Sequence, residues 1–252
     1  LFVSSIVWRL EHFAEIDSTN TWTVARALEG ADEGVVAFAD FQSAGRGRLD
    51  RTWESPPGAS LLCSILLRPI IGPDQLQLVV ASVALAARAA LVRLCGVRPS
   101  LKWPNDLIVG DSKIAGLLAE LVSNERGPAV VVGIGVNLTY AGPVGAAGTS
   151  VLAESGVTIA PEALLDILLD ELEPRRWLLD THEGRSQLRD EYLGALSTIG
   201  QLIRVERIGD SLAGVATSID ASGHLIVQVD GSDHVIVVGD VVHVRPHDGP
   251  SQ

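Results

Sequence analysis

Methionine is absent from this chain, and cysteine and lysine occur only twice each among 252 residues. Each scarcity excludes something. Cys63 and Cys95 have no CxxC or metal-type spacing and lie inside apolar stretches, so a disulfide framework or zinc site is excluded in favour of reduced core thiols, as in a cytoplasmic protein. No apolar run reads as reaching the roughly 18 residues that span a bilayer, and the opening LFVSSIVW lacks the basic flank of a signal peptide, so no membrane role is expected. Basic residues are outnumbered, 19 against 31 acidic, for a net charge of −12. Phosphate-backbone binding needs a cationic field, so nucleic acid is not an expected partner. With Leu at position 1 and no Met anywhere, the natural start is expected upstream.

What is present is apolar and organised. A hydrophobic content of 47% supports a substantial core, and the length suits one large domain with a small appendage. Residues 6–13 and 34–41 read as strands around a helix that starts after Asp17-Ser18-Thr19-Asn20, whose short polar side chains can cap a helix N-terminus. SLLCSILLR (60–68) reads as a buried strand and 73–94 as a long alanine-rich helix. From 100 to 138 an antiparallel meander is predicted, with turns at Gly110-Asp111 and at 124–128. Helical periodicity returns over 161–194. Beyond 199 short strands alternate with Gly, Asp and Ser turns, up to a last run HVIVVGDVVHVRP, and read as a separate small β-barrel. The expected domains are therefore 1–198 and 199–252. Six histidines are scattered without metal spacing, and His234, His243 and His247 read as ordinary polar positions of the barrel.

Three segments could carry chemistry. Both lysines, Lys102 and Lys113, lie in KWPNDLIVGDSKIAG; a chain that otherwise writes positive charge as arginine has reason to keep a compact ammonium there. If Gly110-Asp111 is a two-residue turn, Ile108 pairs with Lys113, which brings Lys113 to the face of Asp106; a three-residue loop would reverse that parity. The pair then reads either as a site or as an ordinary surface ion pair. QSAGRGRLDRTW (42–53) places Arg46, Arg48 and Arg51 among glycines, which suits an anion-binding loop or, alternatively, a solvated turn. In AVVVGIGVNL, Val130, Val132, Ile134, Val136 and Leu138 share a core face, whereas Gly133, Gly135 and Asn137 leave the other face bare. A bare face receives either something flat or another stretch of backbone.

The ordered set DSTN, GRGRxxRxW, KWPND, a hairpin lysine before Ala-Gly, then GIGVN, ending in a small barrel, resembles the biotin protein ligases (biotin–[acetyl-CoA-carboxylase] ligases) over nearly the whole chain. The resemblance implies an α+β fold, a mixed and largely antiparallel sheet with helices (the class II synthetase-like biotin/lipoate ligase fold), followed by an SH3-like barrel. It implies ATP and biotin as substrates, Mg²⁺, biotinyl-5′-AMP as the intermediate, and transfer to a lysine of the biotin carboxyl carrier domain of an acyl-CoA carboxylase. By the family pattern Lys113 would sit between the biotin carboxylate and the α-phosphate, and Arg48 would neutralise the phosphate. Asp106 would hold Mg²⁺ or orient the incoming amine. Ser18, Thr19, Gln42 and the Arg46 backbone would bind the ureido ring or valeryl chain, with Gly116, Gly133 and Gly135 as the pocket floor, and Asn20, Gly45 and Gly47 are further substrate-binding positions. Trp53 would stack near the adenine, and Lys102, Asn105 and Asn137 would face the nucleotide.

Two departures stand out. The family loop usually carries glycine where this chain has Asp50, which adds a negative charge and removes a permissive φ. Some relatives carry an N-terminal winged helix-turn-helix and act as repressors, whereas the sixteen residues before Asp17 are too few for one, so a monofunctional enzyme, monomeric or weakly dimeric, is expected. The alternatives are a lipoate or octanoate ligase on the same catalytic fold, and a biotin sensor without catalysis.

Overall fold

The computed structural model describes residues 5–207, 210–237 and 239–243. Two sheets organise them. The larger contains β1 (Arg9–Phe13), β2 (Val35–Ala39), β3 (Ser60–Leu67), β4 (Ser100–Lys102), β5 (Asp106–Val109), β6 (Ser112–Asn124) and β7 (Gly127–Asn137), in the order β1-β2-β3-β7-β6-β5-β4. Only β1 and β2 run parallel. Their crossover is α1 (Thr19–Leu28), the kind of long connection that parallel strands require. The predicted meander is β4 to β7.

Helices α4 (Pro161–Leu178) and α5 (His182–Ala195) pack with α2 (Leu76–Cys95) on one face of this sheet, and α3 (Val151–Ser155), which the sequence reading did not anticipate, follows β7. A single 3-10 turn, Pro73–Gln75, leads into α2, and Gly96 closes it at φ 72°. The reading that no apolar stretch is long enough to cross a bilayer is corrected here. The helical stretch Pro73–Cys95 reaches a mean hydropathy of 2.0 over an 18-residue window. That window is 67% buried within the protein, because α2 is apolar all round and has sheet on one side and helices on the other.

The smaller sheet is wholly antiparallel, with β8 (Leu202–Arg207), β9 (Asp210–Ile219), β10 (Leu225–Val229), β11 (Ser232–Ile236) and β12 (Asp240–His243) in the order β11-β10-β9-β8-β12. This is the SH3-like unit. The run from His234, expected as one strand, is divided between β11 and β12; its last residues and His247 lie outside the described residues.

One hydrophobic cluster continues through both sheets, joining Leu101, Trp103 and Leu107 to Ile203, Ala216 and Leu225. Trp103, 1% exposed, donates its indole N–H to Gly223 O and its backbone N–H to Thr198 Oγ, each at 3.1 Å. Arg189 on α5 donates to the carbonyls of Ile219 and Asp220. On β7 the even-numbered residues from Val130 to Leu138 enter this cluster as the alternation predicted. The odd-numbered Ala129 and Val131 meet Ala27 of α1 in a second, smaller core, and beyond them that face opens at Gly133 and Gly135.

Candidate active site

The hairpin β5–β6 turns through Gly110-Asp111, pairing Val109 with Ser112 and Ile108 with Lys113, the two-residue register. Beyond that point Leu107 faces Ala115, so Ile114 is an extra residue in β6. Such a bulge bends the strand and re-aims its side chains. Lys113 Nζ comes to 2.6 Å from Asp106 Oδ1 and lies 5.6 Å from the Trp53 ring centroid. Oδ1 is buried and has no aligned hydrogen bond, so the contact is ionic. A surface ion pair contributes at most about 1 kcal/mol, but these two residues are partly buried and line a cavity of about 140 Å³, where an entering anion meets the same ammonium.

That cavity lies between the open face of β3, β6 and β7, the start of α1, and the glycine-arginine loop. All the predicted site residues line it except Gly45, Lys102 and Asn137. The bare glycines have a definite use. A Cβ built at Gly135 would fall 2.4 Å from Trp53 Cε2, one at Gly116 2.8 Å from Lys113 Nζ, and one at Gly133 2.3 Å from Asn20 Oδ1. Side chains, not a neighbouring backbone, are what close against this face. Trp53 lies flat on the floor with its Nε1 buried and without a partner.

The three residues outside the lining have other placements. Gly45 accepts from Trp53 N at 3.0 Å and a Cβ there would meet Trp53 O at 2.3 Å, so it shapes the loop. Lys102 stands opposite Asp106 in the β4–β5 pairing. Asn137 donates to Thr149 O at 3.0 Å and to Lys113 O at 3.4 Å. It thereby helps fasten the segment after β7, where Lys113 N donates to Ala147 O at 2.8 Å and Thr149 N to Lys113 O at 2.9 Å.

One end of the cavity is polar and uncharged. Ser18 caps α1 by accepting from Thr21 N, as the DSTN reading allowed. Gln42 Oε1 accepts from Thr19 N at 2.8 Å and Thr19 Oγ at 3.0 Å, while Ser64 Oγ sits 2.8 Å from Thr19 Oγ and donates to Asn20 Oδ1 at 2.8 Å. Cys63 also lines this cavity, but burial pushes its thiol up to about 12, leaving it no thiolate at neutral pH.

The other end is cationic. Arg48 donates to Asn105 Oδ1 at 3.1 Å and to Gly239 O at 3.2 Å. Burial lowers its pKa, an effect the nearby Asp240 and Asp106 oppose. Asp240, from β12, lies 3.7 Å from Arg48 and is ion-paired with Arg51. The loop tip is held in the left-handed region without glycine, Leu49 at φ 55° and Asp50 at φ 57°, at a cost of roughly 1–2 kcal/mol per residue. Ser64, Glu120 and Asp240 escaped sequence reasoning. They reach the site only through strand pairing and long-range contact, and no local pattern marks them.

Lys113, paired with Asp106, and Arg48, bonded to the neighbouring Asn105, thus line one cavity whose far end offers neutral hydrogen-bond partners. That arrangement can bring two anions together without a protein nucleophile. The sequence model of the biotin/lipoate A/B protein ligase family matches residues 12–137. The biotin–[acetyl-CoA-carboxylase] ligase of Mycobacterium tuberculosis is 37% identical over 94% of this chain and 90% of its own length. The enzyme of that name from Paracoccus denitrificans is 35% identical over 90% of this chain and 98% of its own. The fold matches that of the biotin protein ligase from Aquifex aeolicus in complex with biotin and ATP, with a TM-score of 0.80, 23% identity, and coverage of 94% of this chain and 99% of that one. The chain belongs to the biotin/lipoate A/B protein ligase family and, within it, to the biotin protein ligases.

Proposed function

We propose that the chain is an ATP-dependent biotin–[acetyl-CoA-carboxylase] ligase. The biotin carboxylate attacks the α-phosphorus of ATP, the bond to the β-phosphate breaks, and biotinyl-5′-AMP and pyrophosphate form. The amine of a lysine on the biotin carboxyl carrier domain of an acyl-CoA carboxylase then attacks the acyl carbon and AMP leaves. The observation that carries this reading is Lys113 Nζ, set 2.6 Å from Asp106 beside Arg48 at the charged end of the cavity. A compact ammonium fits between carboxylate and phosphate and offsets the repulsion as they approach. Arg48 neutralises the phosphate and keeps the loop over the labile anhydride, away from water. Ser18, Thr19, Asn20 and Gln42 receive the ureido ring over the glycine floor, and Lys102, Asn105 and Asn137 serve the nucleotide, with Trp53 stacking near the adenine after leaving the floor.

Mg²⁺ would accompany ATP. Among the described residues no group of three or more His, Cys, Asp or Glu is placed to hold a metal. Phosphates, water and one carboxylate, that of Asp106, would hold the ion, the usual mode for Mg²⁺ on a nucleotide. When bound it would neutralise phosphate charge. The enzyme acts in the cytoplasm as a monomer or weak homodimer.

The uncharged polar end favours biotin over lipoate or octanoate, because an aliphatic chain there would leave hydroxyl and amide groups without partners. The test is pyrophosphate release from ATP with biotin, lipoate or octanoate, each with and without a carrier domain. Biotin-dependent release with label on the carrier lysine is expected. Release with lipoate or octanoate alone would move the chain to the sister activity, and silence with measurable biotin binding would make it a sensor.

A further inference from the structure

Glu120 lies on β6, on the same face as Gly116 but farther along the strand, and does not itself line the cavity. Its Oε2 nevertheless accepts from Asn20 Nδ2 at 2.6 Å and from Arg46 Nη1 at 3.1 Å. These partners come from the start of α1 and from the glycine-arginine loop, so one carboxylate joins two walls of the site. A carboxylate only accepts. The Asn20 amide must therefore present its nitrogen to Glu120 and its oxygen to Ser64, which donates to Oδ1 at 2.8 Å. Asn20 is 4% exposed and its Oδ1 is so close to Gly133 that a Cβ there would meet it at 2.3 Å. The amide has no room to take up a solvated alternative.

The consequence runs along the chain of hydrogen bonds. Once Ser64 spends its one proton on Asn20, its lone pairs are left to accept. Thr19 Oγ, 2.8 Å from Ser64 and 3.0 Å from Gln42 Oε1, has one proton for one of the two. Gln42 holds its oxygen toward Thr19, which leaves its Nε2 as a donor. This end of the cavity then presents hydroxyl acceptors together with an amide donor, the complement of a cyclic urea with two N–H groups flanking one carbonyl. Turning the Asn20 amide over would reverse Ser64 and break that match.

We propose that Glu120 is a positioning residue that sets the hydrogen-bond polarity of the head-group end, and through it the selection of a urea head, without touching the substrate. The inference rests on the biotin reading above. Glu120→Leu removes the acceptor and frees the amide; Glu120→Gln keeps an oxygen that can accept from Asn20 Nδ2 while losing the charge toward Arg46. In steady-state adenylation the expected result for Glu120→Leu is a KM for biotin raised at least about tenfold, with kcat and the KM for ATP within about twofold. Glu120→Gln restores the biotin KM to within about threefold of the parent. Direct titration of all three proteins with biotin should give the same order, and thermal melting confirms that each is folded. An unchanged biotin KM in a folded Glu120→Leu protein would overturn the proposal, as would equal losses in both variants or a fall in kcat alone. A parent protein that binds biotin without releasing pyrophosphate would count against the ligase reading, and the three titrations would still decide the role of Glu120. A parent that binds no biotin overturns both.

Discussion

The indole of Trp53 lies against the backbone of Gly135, with Cε2, Cζ2 and Nε1 all within 2.8 Å of where a Cβ would stand. The glycine is a seat for a flat group. Gly135→Ala is expected to push the indole off the floor and leave a methyl where the biotin ring should lie. A loss of about a hundredfold in kcat/KM for biotin is predicted, the order of effect that a misplacement near 1 Å produces. Tryptophan fluorescence should shift in the free variant. Unchanged fluorescence together with unchanged kinetics would show that the strand has slack.

Lys113→Arg keeps the charge and should still fail. A planar guanidinium cannot take the place of a point charge within 2.6 Å of Asp106. Adenylate formation is expected to fall about a hundredfold or more, the size seen when one charge-stabilising donor is lost. Pyrophosphate release in a single turnover measures it, and a near-normal rate would remove Lys113 from its assigned position.

Asp50→Gly should improve the protein. It places the residue that tolerates φ 57° where a β-carbon is now strained, with a gain of about 1 kcal/mol, and it removes a negative charge from the tip of the loop proposed to meet phosphate. A higher melting temperature and a lower KM for ATP are expected. A change in neither would mean that Asp50 makes a compensating contact when substrate is present.

Asp240→Asn tests the link between barrel and loop. The carboxylate lies against both Arg48 and Arg51, so its neutralisation should loosen the loop in the absence of ATP. Faster tryptic cleavage after Arg46, Arg48 or Arg51, suppressed by ATP with biotin, is the expected observation. Cleavage no faster than in the parent would assign the anchoring to Asn105 and Gly239 O instead.

Arg176 is predicted to matter for stability alone. It is 3% exposed and reaches Glu33, Asp180 and the carbonyl of Arg68. Removing it as Arg176→Ala would leave two carboxylates facing one another at the end of α4. Loss of a buried partner of this kind costs roughly 3–5 kcal/mol, measurable by urea denaturation. A change under about 1 kcal/mol would mean that water reaches the gap.

Much of this architecture is legible in the chain because its signals are local. The turn residues Gly110 and Asp111 fix the β5–β6 register, and alternation along β7 separates the core valines from the glycine floor. Ser18 caps its helix where the DSTN pattern places it. What escapes is non-local. The extra residue Ile114 has no sequence signature, yet it aims Lys113. Glu120 and Asp240 look like any surface acids among the chain's 31 until the fold brings them to Arg46, Asn20 and Arg48. Helix α2 misleads in the opposite direction, since hydropathy reports that a helix avoids water without naming what replaces it.

The burial of Trp103 between the sheets has a consequence for how the molecule comes apart. Its ring is packed in the same apolar cluster as Ile203 and Leu225, and its N–H bonds end on Thr198 and Gly223. A seam visible in composition near residue 199 is therefore not a seam in cooperativity. Heat or denaturant should meet a single melting unit, and severing the barrel would strip the KWPND turn of its ceiling, so the small C-terminal sheet works as the keystone of the turn that leads into the β5–β6 hairpin and not as a passenger.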